Sequence, residues 1–270
     1  MQPKQPVQFT AETSSDGVIE RDFTVGEIPG VLWSPASGAD RRRVGVERVE
    51  GRDRAPLILM GHGGGTHKRW PAMTGRAHRL VTDGGFTVAV IDAPGHGDRP
   101  LTAYDERERA AMQQAMAAGE SVRSVVVRYN AEIAQRAVPE WRATLDALQE
   151  LPEIGADGPV GYFGLNMGTA IGVPLVAAEP RIGAAVFGLH WPDALAEAAR
   201  QITVPIEFML QWDDEHIDRQ AGLALFDAFA SKEKTLHANA GKHKELPRFE
   251  ADSAVRFFGR HLAEARSLAV

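Results

Sequence analysis

Residues 164–168, Gly164-Leu165-Asn166-Met167-Gly168, constrain this chain more than any other stretch. They lie between a strand-like run, Pro159 to Phe163, and a run of mostly small residues, Thr169 to Ala178, that reads as a helix. The chain must therefore turn sharply from strand into helix. A glycine at each end removes the side chains that would crowd such a turn. The central residue is Asn166, a type that tolerates positive φ better than most.

The rest of the chain repeats this alternation. Short apolar runs, Ala55–Gly61, Phe86–Asp92, Ile182–Leu189, Val204–Gln211 and Lys234–Ala238, read as strands, mostly buried on both faces. Between them, 70–83, 193–201, 220–229 and 248–264 read as helices. Residues 121–151 also have helical spacing, with Pro139 expected to break or kink them. Val18–Val25 and Gly30–Ser34 read as antiparallel strands, and 38–54 as a charged loop that includes Arg41, Arg42 and Arg43. This pattern predicts an α/β fold, a mostly parallel sheet flanked by helices. A single domain over 1–270 is expected, with residues 101–120 leaving room for a small helical cap.

Composition narrows the function classes. The chain has 270 residues, 44% of them hydrophobic, and a net charge of −6, so a basic nucleic-acid surface is not expected. It has no cysteine, which excludes disulfides, thiolate metal sites and a cysteine nucleophile. Met1 to Thr10 is polar and lacks the apolar core of a signal peptide, and no apolar run is long enough to span a membrane. A cytoplasmic protein is expected, and a homo-oligomer is compatible with the sequence. No H-E-x-x-H, P-loop or G-x-G-x-x-G pattern occurs in context, so neither a cofactor nor a metal is expected.

His62-Gly63-Gly64-Gly65 follows directly after the Ala55–Gly61 run. With the turn at 164–168 and the acidic and histidine loops downstream, over about residues 55 to 265, the chain resembles the α/β-hydrolase superfamily, and within it the carboxylesterase and dienelactone-hydrolase-like branch. The resemblance makes 164–168 the nucleophile elbow, normally G-x-S-x-G, with Asn166 at the nucleophile position. It makes the backbone N–H groups of Gly64 and Met167 the oxyanion donors. His62, Gly63, Gly65 and Trp212 become substrate-contacting positions. After the Val204–Gln211 strand, Trp212-Asp213-Asp214-Glu215-His216-Ile217 supplies the acid. Asp214, three residues before Ile217, fits best, with Asp213 as the alternative. Gly241-Lys242-His243 supplies the base, His243. His216 lies too near the acid, His237 lies inside a strand, and His96 in Asp92–Asp98 belongs to a structural turn. His67, Lys68 and Arg69 could meet an anionic group or open a helix. Trp70, Trp191 and Trp212 could shape an apolar pocket or pack in the core. The implied substrate is a small ester or other acyl compound.

A carboxamide is a poor nucleophile and cannot carry the serine-to-histidine proton transfer. Three readings follow from Asn166. It is an engineered replacement of the serine of an ordinary esterase; or it is natural, with His243 acting as general base on water or in non-hydrolytic chemistry; or the chain is a binding protein that kept the pocket. Deamidation to the aspartate used by dehalogenases carries little weight, because Met167 rather than glycine follows.

Overall fold

The computed structural model describes residues 5–36 and 54–264, with the side chains of the last two outside the description. Met1 to Lys4 and nearly all of the loop expected over 38–54, its three arginines included, lie outside the described residues.

Three strands, β1 (Val7–Ser15), β2 (Val18–Val25) and β3 (Ile28–Pro35), form an antiparallel meander. β1 has no counterpart in the sequence reading. Its side chains are almost all exposed, so no apolar alternation marks it, and backbone pairing with β2 holds it as the sheet edge. Then follow β4 (Leu57–Gly61), α1 (Pro71–Gly84), β5 (Thr87–Ile91), α2 (Ala103–Ala118) and α3 (Arg123–Gln149). The chain continues through β6 (Val160–Gly164), α4 (Met167–Ala178), β7 (Ile182–Gly188), α5 (Ala196–Ala199) and β8 (Ile206–Gln211). It ends with α6 (Arg219–Ala228), β9 (Lys234–Asn239) and α7 (Phe249–Glu264).

One sheet has the order β1-β2-β3-β5-β4-β6-β7-β8-β9. From β5 to β9 every neighbouring pair is parallel, while β3 meets β5 antiparallel. Strand order reverses at β4, whose neighbours are β5 and β6. In open α/β sheets ligands bind beyond the strand C-termini at such a reversal point. The His62–Gly65 loop follows β4 and the 164–168 turn follows β6, so both motifs lie at the reversal point.

Two apolar layers clamp the sheet. Met73, Ala77, Leu80, Ala254 and Phe258 from α1 and α7 pack on one face with Ile58, Val88 and Val186. Trp141, Leu145, Ile171 and Leu225 from α3, α4 and α6 pack on the other with Leu59, Tyr162 and Phe208. α3 runs unbroken through Pro139. Pro139 and Gln135, whose carbonyl loses its partner, both lie on the exposed side, so that carbonyl is not stranded in the core. α5 is shorter than the helix expected over 193–201. α2, a full helix over the expected cap segment, opens with a capping box between Thr102 and Asp105. It is anchored where Arg109 donates to Gly95 O at 2.6 Å and Arg136 of α3 donates to Asp105 at 2.7 Å.

Candidate active site

The turn into α4 is forced by contact. A Cβ on Gly164 would lie 2.4 Å from Gly168 O, and one on Gly168 would lie 2.5 Å from Gly61 O. Asn166 is held at φ 56°, ψ −120°. That ψ lies outside the left-handed helical region, so the ordinary tolerance of asparagine for positive φ does not account for it. Such backbone costs about 1–3 kcal/mol and persists where the surroundings over-determine it. Here Asn166 N–H donates to Gly188 O at 3.2 Å, and its carbonyl accepts from Thr169 and Ala170. Thr169 Oγ1 stands 2.8 Å from Gly164 O and 2.6 Å from Gly188 O, tying β6 to β7 beneath the turn.

The glycine loop faces this turn. A Cβ on Gly63 would lie 4.0 Å from Asn166 Nδ2, and one on Gly64 4.0 Å from Met167 Cβ. Neither Gly64 nor Met167 donates its N–H to another backbone group among the described residues. Gly65 has φ 72° and open space around it.

His62 has a different part from the one its neighbours suggested. It is fully buried; its Nε2 accepts from Ala93 N–H at 3.0 Å and its Nδ1 lies 2.9 Å from Gly63 O. Nδ1 therefore carries the proton, and neither nitrogen is left for a substrate. Burial holds the imidazole neutral, its pKa lowered to about 4. His62 is thus a strut that fixes the loop to the turn after β5. Lys68 and Arg69 are likewise committed. Lys68 Nζ sits 2.6 Å from Asp92 and 2.5 Å from Asp98, and Arg69 pairs with Glu20 and Asp22. His96 is buried with Nδ1 at 3.0 Å from Pro94 O.

The acid and the base expected from chain order meet. His243 Nδ1 lies 2.7 Å from Asp214 Oδ2, while Asp214 Oδ1 accepts the N–H groups of His216 and Ile217 at 2.8 and 2.9 Å. Burial pushes the Asp214 carboxyl up, but the hydrogen bonds from His243, Ile217 and His216 outweigh it and hold it below the usual carboxylate range. Asp213 is exposed and its carboxylate instead accepts the Gly241 N–H. Glu215 accepts the His243 N–H at 3.0 Å, and the His216 ring stands edge-on to His243 at 5.2 Å. His243 Nε2 has no hydrogen bond among the described residues.

Of the tryptophans, Trp191 is buried in the α1/α7 layer, whereas Trp70 and Trp212 are exposed, Trp212 beneath the Arg219 guanidinium at 3.7 Å. Sequence reasoning passed over His190 and Asn130. Both are buried; Asn130 Nδ2 meets His190 Nε2 at 3.2 Å and His190 Nδ1 lies 3.0 Å from Trp191 O. Burial, opposed by the Trp191 carbonyl and by Asp193 and aided by His243, lowers the His190 pKa to about 4. β7 ends at Gly188, and Leu189, with φ 55°, turns the chain into His190 beside the elbow, but no sequence spacing pairs His190 with Asn130. On the same sheet edge, a hollow of about 330 Å³ opens between Ser121, Arg123, Ser124, Val127 and Asp193. Neither Asn166 nor His243 lines it.

No family model matches the chain, and no curated protein does. Solved structures do. A cold-adapted esterase from an Arctic intertidal metagenomic library, in complex with polyethylene glycol, is 30% identical over 94% of this chain and 99% of its own, with a TM-score of 0.70. A zinc-bound structure of such an esterase is 28% identical over the same shares, with a TM-score of 0.66. Dienelactone hydrolase from Anabaena variabilis is 19% identical over 93% of this chain and 98% of its own, with a TM-score of 0.61, a likeness of fold.

Proposed function

This chain belongs to the α/β-hydrolase family, and we propose that its site is that of a carboxylic-ester hydrolase stopped at one atom, the nucleophile replaced by Asn166. The observation that carries the reading is the Asp214–His243 hydrogen bond of 2.7 Å, at the chain positions where the acid and base of this family fall. In such a site Asp214 holds the imidazole with its proton on Nδ1. That leaves Nε2 as the acceptor for the proton of a nucleophile. The Gly64 and Met167 N–H groups would receive the charge that develops on the acyl oxygen. Each such donor contributes about 3–4 kcal/mol to the transition state in working enzymes. The unengaged N–H groups and the approach of the glycine loop to Asn166 support this assignment. The substrate expected is a small ester or other acyl compound, with α2, the helix over the expected cap segment, read as the cap.

Asn166 cannot form an acyl-enzyme through an ordinary hydroxyl attack. A second reading rests on the free Nε2 of His243. There a water would attack the acyl carbon, pass its proton to Nε2, and the leaving alcohol would take that proton back as the tetrahedral intermediate collapses.

The two readings part on one substitution. Under the first, Asn166→Ser creates hydrolysis of a short-chain activated ester, and His243→Ala removes it. Under the second, the chain as it stands hydrolyses esters, loses that on His243→Ala and gains little from serine. Equal rates in the parent, Asn166→Ser and Asn166→Ser/His243→Ala would sink both. Tight binding of a small molecule without turnover by any form would leave a binding protein.

A further inference from the structure

A second cluster of ionisable groups lies under the start of α7, where the proposed reaction has no use for it. Glu207 comes from β8, His237 from β9 and Glu250 from α7. One ligand atom from each lies within 4.8 Å of the other two. His237 Nδ1 is 2.7 Å from Glu250 Oε2, and His237 Nε2 is 3.6 Å from Glu207 Oε2. Both carboxylates are buried, 3% and 2% exposed, while the His237 side chain is 24% exposed and opens the cluster to solvent at the sheet edge.

Hydrogen bonds satisfy only part of this chemistry. Ser253 Oγ donates to Glu207 Oε2 at 2.9 Å, and Asn239 Nδ2 donates to Glu250 Oε1 at 2.8 Å. Glu207 Oε1 is buried with no hydrogen-bond partner. A buried polar atom left so costs about 1–3 kcal/mol, and more when it carries charge. The cluster sets one imidazole against two carboxylates. Arg256 acts on Glu207 only through its field.

The geometry points to a divalent transition-metal site of zinc type, with Glu207, His237 and Glu250 as ligands. One imidazole nitrogen and two carboxylate oxygens form a mixed N/O donor set that suits zinc and its neighbours. Calcium takes six to eight oxygens and magnesium prefers an all-oxygen shell, so the imidazole of His237 counts against both. A cation would offset the second carboxylate, and if held by both Glu207 oxygens it would also give Oε1 a partner. Ser253 and Asn239 already orient the two carboxylates, as outer partners of metal ligands do. The three ligands lie on separate elements, so no spacing motif marks them. Three protein ligands leave a fourth position to water on the exposed side of His237, and the ion would fasten the start of α7 to β8 and β9, directly behind the 240–248 segment that carries His243. Gln211 Nε2, on the same face of β8 as Glu207, donates to Lys242 O at 3.0 Å and ties that segment to the same base.

The test uses the full chain, stripped with a chelator, dialysed and titrated with Zn²⁺. Calorimetry should give one equivalent bound, and the melting temperature should rise by about 5–10 °C at a hundredfold excess over Kd. Glu207→Gln and His237→Gln should each lose both effects, while His243→Gln keeps them. Stripped Glu207→Gln should melt no lower than the stripped parent, because it removes one of two crowded buried charges. If Glu207→Gln does not fold, Co²⁺ absorption of the parent against His237→Gln decides. Absence of stoichiometric uptake by the parent would overturn the site. So would uptake that survives His237→Gln but is lost in His243→Gln, which would put the ion on the histidine of the proposed reaction.

Discussion

Acid should open this site from behind, through two histidines that take no part in the proposed chemistry. His62 and His190 are both buried, and burial lowers each pKa from 6.5 to about 4. His62 Nε2 accepts the Ala93 N–H, and His190 Nε2 stands opposite the Asn130 amide nitrogen. Protonating either Nε2 replaces an acceptor with a donor and sets N–H against N–H. The folded protein therefore resists the proton that the unfolded chain takes up near pH 6.5. A histidine with a lowered folded pKa contributes stability in full above 6.5, and that contribution drains away as pH falls toward 4. The gap between 6.5 and about 4 comes to about 3 kcal/mol for each histidine, at about 1.4 kcal/mol per pH unit. Two such groups give a slope of about 2.7 kcal/mol per pH unit below 6.5, so roughly 4 kcal/mol is gone by pH 5. That is a large part of the 5–15 kcal/mol typical of a folded domain.

Other groups modify the slope without reversing it. His96, lowered mainly by burial, acts in the same sense. Glu207, raised mainly by burial, acts in the opposite sense. Asp214 and Asp92, held below the ordinary carboxylate value, add stability that is lost only as pH falls through their own lower range. The assay is urea unfolding at intervals from pH 7.5 to 5.0. The parent midpoint should be flat above about 7 and fall steeply below 6.5, and His190→Gln should show about half the slope. A midpoint constant down to pH 5 would refute the argument. So would a His190→Gln curve parallel to the parent, which would place the titration elsewhere.

Three further outcomes follow from the same contacts. In the Asn166→Ser background, Asp214→Asn should cut kcat about 10⁴-fold, the scale of such a change in a working triad, because an amide facing Nδ1 favours the wrong imidazole tautomer; a loss under tenfold counts against the pair. Gly168→Ala should cost about 1–3 kcal/mol as its Cβ meets Gly61 O, lowering the melting temperature by about 2–12 °C, and an unchanged melt would mean that the turn relaxes freely. Lys68→Met leaves Asp92 buried without its cation and should cost about 3–5 kcal/mol in urea unfolding, with Asp92→Asn in the same chain recovering part of it.

What the sequence made legible was local chemistry. The family resemblance favours Asp214 over Asp213 for the apolar residue three positions on, and the hydrogen bonds of Asp214 support that reading. Its Oδ1 accepts the N–H groups of His216 and Ile217, a turn closed within four residues, while Oδ2 is left to face His243. The fold was legible for the same reason, since buried strands and their helices are written in short runs. What stayed hidden depends on partners far along the chain. His62 looks like a substrate contact until Ala93, 31 residues on, takes its Nε2. Asn130 and His190 are 60 residues apart, and β1 has meaning only beside β2. Asn166 falls between these cases. Its backbone strain is met by Gly188 O, by Thr169, and by glycines at 164 and 168 that admit close contact, and its own side chain supplies no cap. The surroundings, and not the side chain at 166, therefore hold the elbow. A serine placed there would inherit the same φ and ψ without needing the carboxamide, so exchanging one side chain tests the chemistry of the site while leaving its scaffold in place.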